Sequence, residues 1–490
     1  MKEEIFHQKF TNLRTFPILN PEVLKKAEQT IRSTDDWKLT RINPISFAKK
    51  NNIGTDESID FFVHATKVGL FDFAYNLLCP LCGGIVHTHH KLDQIQNETF
   101  HCVVCNFVVP TLLDDQVEVA FELHPSLVEK IKDPFLSLED YYSHFFSPNY
   151  IKTPELLTWI KKTIFGFYVL EPEKQTEVEV ELTTGQDIGE MLQIVCIDRN
   201  AASFFTADET APNSDSNQIV DLLETGFLPS EKKVKPGKYK FTINNRSRWR
   251  VGIQVITPNS KILKRIYDSY PTKVEPFLTA KMLLNNQSFR DLFRVQRLSA
   301  DLNLNVKSLT IMFTDLRGST EMYDQAGDIL AYKLVQEHFH ILTETVREYK
   351  GAIVKTMGDA IMATFSTPME GLLASLEMLK KIDTMNQTWK SEGYEVGLKV
   401  GLNEGSALAV VNDERLDYFG QSVNIAARVQ GLASSGEIWI SESVWDAPGT
   451  QAEIKKSGYN IEKLSARLKG VGTPATVFKL FQKSTSAPSI

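Results

Sequence analysis

Two short apolar runs, each ending on an aspartate, constrain this chain more than anything else in it. Residues 309–320 read LTIMFTDLRGST: the apolar and β-favouring side chains from Leu309 to Phe313 predict a buried strand, and Asp315 follows just before a Gly-Ser-Thr turn. Residues 353–365 read IVKTMGDAIMATF, two further apolar strands around Gly358 and Asp359, which predicts a tight hairpin with an acid at its tip. Taken singly, Asp315 reads as a helix cap and Asp359 as a turn residue. If the hairpin pairs beside the first strand, the two carboxylates converge. Carboxylates on adjacent strand ends suit one or two Mg²⁺ ions, which take oxygen ligands and are completed by substrate phosphates.

A third stretch adds groups that suit such a substrate. In DYFGQSVNIAARV, residues 417–429, Gly420 opens a helical run in which Asn424 and Arg428 stand four apart and share a face. An amide and a guanidinium on one face suit a ribose and a phosphate. With FTDLRGST, KTMGDAIMATF, DYFGQSVNIAARV, GEIWIS and LKGVG in that order, residues 307–482 resemble the catalytic domain of class III nucleotidyl cyclases, which turn a nucleoside triphosphate into a 3′,5′-cyclic nucleotide and pyrophosphate.

The resemblance implies that Asp315 and Asp359, with the backbone carbonyl of Leu316, hold two ions per active site, Mg²⁺ or Mn²⁺. It implies that Lys355 and Asp417 read the base, Asn424 orients the ribose, Arg428 stabilises charge on the α-phosphate, and Lys469 in LKGVG holds the terminal phosphates. The resemblance implies that lysine and aspartate at these positions are the family's adenine-selecting choice, the acid accepting from the exocyclic amine and the lysine donating to a ring nitrogen. ATP is therefore the expected substrate, with a guanylate cyclase or a catalytically weak nucleotide-binding regulator as the alternatives. The chain departs from many members of the family in having Ser406, after GLNEG, where they carry a phosphate-binding arginine. In the family the metal carboxylates and the nucleotide ligands come from opposite subunits. A chain holding both sets is expected to act as a head-to-tail homodimer with two equivalent sites, and a lone protomer to be inactive.

The remaining elements of this domain are expected as a long helix over Asp328–Lys350, a second over 369–389, and strands at Val396–Leu402 and Leu408–Val411: an α/β sandwich with a mostly antiparallel sheet. The tail at 483–490 is expected to be loose.

At 490 residues the chain has room for about three domains, so the fold class expected is multidomain α+β. A net charge of −7 argues against a nucleic-acid partner or an anionic membrane surface. No apolar stretch is long enough for a membrane helix and MKEEIF lacks a signal-peptide pattern, which points to the cytoplasm and to an intracellular regulator. Asn20-Pro21 starts a helix, and the pair Pro44–Asn51 and Asp56–Val68 has the spacing of a helix-turn-helix, a unit used at least as often for packing as for DNA. Cys79 and Cys82 in CPLC with Cys102 and Cys105 in CVVC match a structural zinc ribbon of four thiolates; His87, His89, His90 and His101 read as solvated neighbours and Cys196 as a buried strand thiol.

FVHATKVGLFDFAYNLLCPLCGG, CVVC and DDQVEVAFELHP resemble an uncharacterised domain found upstream of some class III cyclases, which implies regulation in general terms. The domains expected are thus a helical regulatory unit with the zinc ribbon (1–170), an antiparallel β-sandwich (174–258), a connecting and dimerising helix (273–306) with an apolar seam of Leu278, Met282, Phe289, Leu292 and Phe293, and the catalytic domain (307–482). Arg246, Arg248 and Arg250 read as a solvated edge of one strand, and the aromatic run from Phe135 to Phe146 as cover for the ribbon.

Overall fold

The computed structural model describes residues 1–95, 99–129, 132–185, 189–258, 269–293, 304–317, 328–390, 395–412, 415–469 and 474–482. Four helices open the chain, Glu3–Leu13, Pro21–Arg32, Pro44–Asn51 and Thr55–Lys67. Asn20 and Asn43 each cap a helix that starts on proline, their side chains accepting from Glu22 N–H and Ile45 N–H. Thr55–Lys67 runs through the centre of this unit. Its Phe61 and Phe62 are fully buried, with Phe62 stacked 4.9 Å from Phe121 and edge-on 5.2 Å from Phe71 of the neighbouring sheet. Two helices stand where the helix-turn-helix spacing places them, and the second is spent on the core. The sheet beside it is antiparallel, Ile85–His89, Phe71–Leu78 and Val117–Leu123 in that order.

The β-sandwich packs a five-stranded sheet on a four-stranded one around Leu182, Ile194, Phe205, Phe241 and Ile253. It starts ten residues earlier than its alternating pattern indicates, with Ile164–Leu170, an edge strand following directly on helix Pro154–Thr163. IFGFYVL does not alternate, so periodicity alone reads it as more of the helix. Two strand pairs are parallel, Ala201–Ala207 with Glu231–Val234 and Asn217–Leu223 with Gly237–Asn245. Arg246, Arg248 and Arg250 lie in the link between strands Gly237–Asn245 and Val251–Ile256 rather than along one strand, and each meets a carboxylate: Glu173 at 2.8 Å, Glu224 at 3.5 Å and Asp133 at 2.7 Å.

The expected connecting helix is not one helix. Its described part holds a two-residue strand, Lys273–Val274, and two short helices, Ala280–Leu284 and Gln287–Leu292. Thr279 and Asn286 cap their starts, so Asn285-Asn286 breaks the run that the apolar spacing suggests. Leu278, Leu283, Leu284 and Phe289 are buried within this same chain, between the amino-terminal unit and the carboxy-terminal sheet. The expected tail, 483–490, lies outside the described residues.

That last sheet runs Ala352–Met357, Ala360–Phe365, Leu304–Arg317, Gly397–Asn412, Glu437–Ser441, Ala475–Phe481, Asn460–Ala466, with Arg415–Phe419 folded back on Gly397–Asn412. All its pairings are antiparallel except Gly397–Asn412 with Glu437–Ser441. The central strand alternates cleanly. Met312 and Leu316 join the core under helices Asp328–Glu348 and Pro368–Trp389, while Leu309, Ile311 and Phe313 face a core shared with the amino-terminal unit and helix Gln421–Gln430. The two strands expected at Val396–Leu402 and Leu408–Val411 are one continuous strand, Gly397–Asn412, with GLNEG inside it. Its glycines make room instead of turning: a Cβ at Gly401 would strike the backbone of Gln430, and one at Gly405 the side chain of Ser422.

Candidate active site

The central strand pairs Phe313 with Met362, and Ile361 N–H donates to Thr314 Oγ1 at 3.3 Å. That register brings Asp315 and the hairpin tip to the same end of adjacent strands. The tip is a two-residue loop between paired Met357 and Ala360, with Gly358 at φ +64° and Asp359 beside it. The hairpin does pair beside the first strand, and the two acids are thus neighbours. Leu316, next along the strand, is buried at its side chain, which leaves its carbonyl as its polar contribution.

Neither acid is isolated. Lys399, opposite Asp315 in the ladder, donates its Nζ to Asp315 Oδ2 at 2.9 Å. Close to Asp359 is His338, fully buried; burial pushes its imidazole down to about 4, against a smaller upward pull from Asp359, so the ring stays neutral at pH 7 and brings no positive charge to Asp359. Two oxygen acids at an open strand end, with one flexible ammonium as placeholder, form a donor set that fits a hard divalent cation.

Lys355 and Asp417 meet directly, Nζ to Oδ2 at 2.6 Å. Their strands are not neighbours in the sheet; Arg415–Phe419 reaches Lys355 by folding back from Gly397–Asn412. Asp417 is buried and its second oxygen accepts from Tyr418 N–H at 2.8 Å, so its position is set from both sides. Lys355 opens onto a cavity of about 290 Å³ whose other wall is helix Gln287–Leu292; neither Asp315 nor Asp359 lines it. Asn424 and Arg428 project from the exposed face of Gln421–Gln430, opposite buried Ala426 and Val429. Lys469 is exposed just beyond strand Asn460–Ala466, and Ser406 is exposed on the long strand. One chain thus joins Asp315 to Asp359 and Lys355 to Asp417, as two separate clusters.

Sequence reasoning missed three residues that hold these groups. Lys399 could be found only from the register that sets it opposite Asp315. Gln287 Oε1 accepts Ile353 N–H at 2.8 Å, two residues before Lys355. Arg290 donates to the Leu416 carbonyl, adjacent to Asp417, at 3.1 Å and lies 5.5 Å from the Tyr418 ring centre.

In the amino-terminal unit the four Sγ atoms of Cys79, Cys82, Cys102 and Cys105 lie within 4.8 Å of one another, with Cys82 and Cys102 at 3.8 Å. Four sulfurs tetrahedrally placed at the usual zinc–sulfur length stand about 3.8 Å apart. Hydrogen bonding with Cys102 pushes Cys79 below the usual thiol range and raises Cys82 and Cys105, and bonding with Cys105 lowers Cys102. The donor set fits a tetrahedral thiophilic ion.

The carboxy-terminal part is a class III nucleotidyl cyclase catalytic domain: residues 304–478 match the family described as the adenylate and guanylate cyclase catalytic domain. Residues 4–291 match a family of unknown function, DUF5939, and the chain belongs to that family. Among curated relatives, the adenylate cyclase of Lachancea kluyveri is 29% identical over 167 residues, 30% of this chain and 9% of that protein. The adenylate cyclase of Anabaena cylindrica is 29% identical over 153 residues, 29% of this chain and 30% of the relative. The pH-sensitive adenylate cyclase of Mycobacterium tuberculosis is 25% identical over 186 residues, 37% of this chain and 43% of the relative. In each of the three the chain spans less than half of the relative's length. A crystal structure of the adenylyl cyclase CyaB from P. aeruginosa aligns with 38% of this chain and 99% of its own, at 23% identity and a TM-score of 0.32. No helix among the described residues is long and apolar enough to cross a membrane.

Proposed function

We propose that this protein is an adenylate cyclase, converting ATP into 3′,5′-cyclic AMP and pyrophosphate in a head-to-tail homodimer. The observation that carries the reading is the direct pairing of Lys355 with Asp417 in a domain whose strand ends also bring Asp315 and Asp359 together. Asp417 accepts from the adenine amine and Lys355 donates to a ring nitrogen, each released from the other as the base enters. Asp315, Asp359 and the Leu316 carbonyl would hold two cations, Mg²⁺ or Mn²⁺, which would supply positive charge at the ribose 3′-hydroxyl and the triphosphate. Asn424 orients the ribose, Arg428 meets the charge that builds on the α-phosphate, and Lys469 holds the terminal phosphates. With Ser406 offering no charge, the grip on those phosphates rests on Lys469 and the cations. No side-chain nucleophile is required.

The dimer follows from the two separate clusters in one chain: metal acids of one protomer face the nucleotide ligands of its partner. Regulation follows from the packing. Helix Gln287–Leu292 touches both base-reading strands, while Asn286 is bound to Asp60 at 3.0 Å and Lys67 donates to the Leu292 carbonyl at 3.0 Å, so the amino-terminal unit holds the element that braces the pocket. The four thiols hold a structural zinc ion, a use that suits the reducing cytoplasm.

Purified protein incubated with ATP or GTP and either cation, with assay of cyclic products, tests the reaction. Cyclic GMP alone would reassign the substrate, and no cyclic product would overturn the reading. Asp315→Ala and Arg428→Ala are each expected to be inactive and to regain activity when co-expressed; absence of rescue would sink the shared site.

A further inference from the structure

A second cavity, of about 340 Å³, lies where the thiol knuckles, helix Pro154–Thr163 and the β-sandwich meet. Its floor is the sandwich, through Val195 and Ile256, and its roof is Leu157 and Ile160 of the helix. The knuckles form one wall through Cys82 and Cys105, and Gln193 ties that wall to the floor, donating from Nε2 to the carbonyl of Val103 at 2.8 Å. Any occupant would therefore touch three units of the amino-terminal half at once.

One charge stands out in this apolar lining. Lys152 is half-buried, its Nζ 4.7 Å from the centre of the Phe146 ring, and no carboxylate pairs with it among the described residues. A half-buried ammonium over an aromatic face keeps only part of its hydration, and an anion beside it restores the loss. Of the other charged lining groups, Lys161 and Glu139 are both exposed and of opposite sign, so they add no net charge at the mouth, while the Cys82 and Cys105 sulfurs of the wall attract Lys152 from the side of the knuckles. The volume sits near the lower end of the range for ligand pockets, about 300 to 1,000 Å³, which suits a single chain of moderate length rather than a two-chain lipid.

We propose that this cavity is a ligand site for a medium-chain carboxylate, its tail lying between the sandwich and the Pro154–Thr163 helix and its head group on Lys152. A monoanion matches the single internal ammonium: the other lining ammonium, Lys161, stands exposed at the mouth, and the amides of Gln193 and Gln254 already donate, to the Val103 carbonyl and to the Tyr142 hydroxyl.

Full-length protein titrated calorimetrically with decanoate is the test, with decanol as the neutral probe of the same length. Expected are one saturable site per chain and binding of decanol weaker by about tenfold or more. Lys152→Met should weaken decanoate binding by about tenfold or more, and Lys152→Arg by no more than about threefold. Val195→Trp, which fills the floor, should abolish binding of both probes while zinc content is kept. Binding is the readout, so the result stands apart from the reaction assigned to the catalytic domain. Absence of saturable heat, equal binding of decanol, or wild-type affinity in Lys152→Met would overturn the proposal. So would release of zinc by Lys152→Met from a protein that takes up no decanoate, because the lysine would then serve the thiolates alone.

Discussion

The four thiols and the two aspartates are both arranged to receive a cation, and the chain treats them in opposite ways. Cys79, Cys82 and Cys102 are buried, and their sulfurs converge from two knuckles tied into one unit. Asp315 and Asp359 sit at an open strand end, one of them occupied by Lys399 and the other beside a neutral, buried His338. A closed set of sulfur donors satisfies an ion completely and gains folding free energy from it; an open set of oxygens leaves positions for a substrate. On the proposed function, the first would belong to the architecture and the second to the reaction.

That contrast is most exposed at Asp359. Asp359→Asn is expected to lower turnover by about 10³-fold, since one cation loses a charged ligand, while zinc content and unfolding temperature stay at wild-type values. A parallel loss of stability would show that the hairpin tip is structural after all. Cys102→Ser should do the reverse: zinc stoichiometry falls, and the unfolding temperature drops by roughly 5 °C or more because the knuckles lose the ion that joins them. Unchanged zinc content in that variant would remove the basis for calling the thiol cluster a metal site. Arg290→Met tests whether the amino-terminal half reaches the Lys355–Asp417 pair beside the open centre. Without the bond to the Leu416 carbonyl, Asp417 is less well placed, and the KM for ATP should rise by about tenfold with kcat little altered. An equal fall in kcat would mean that the helix acts on the chemical step.

What could be read from the chain alone follows the same division. The thiols announce themselves by spacing, and the acids by apolar runs that stop on a carboxylate, because each of these signals is local. Lys399 was invisible because it meets Asp315 only through a strand register set some eighty residues away. Arg290 and Gln287 were hidden in a stretch whose apolar spacing mimics one long helix; capping by Asn286 decides otherwise, and that competes on equal terms with periodicity. The long strand read as two because glycine usually marks a break, whereas here Gly401 and Gly405 admit helix Gln421–Gln430 onto the sheet. Strand Ile164–Leu170 lost its signal for the opposite reason: both of its faces carry apolar side chains, so there was no alternation to find.

Lys399 offers the smallest and most discriminating effect. Its ammonium sits on Asp315 at 2.9 Å, with both side chains partly exposed, so the pair is solvent-screened and worth about 1 kcal/mol at most. A cation arriving at Asp315 must displace that ammonium. Lys399→Met keeps the stem that packs along the strand and removes the competitor, so the apparent Mg²⁺ requirement should fall by about two- to fivefold, with the KM for ATP nearly unchanged. The difference should shrink as salt rises, because screening weakens the ammonium's hold in the wild-type protein. If instead the Mg²⁺ requirement rises in the variant, Lys399 aims the carboxylate rather than guarding it, and the open centre shares with the thiol cluster a need for a fixed scaffold.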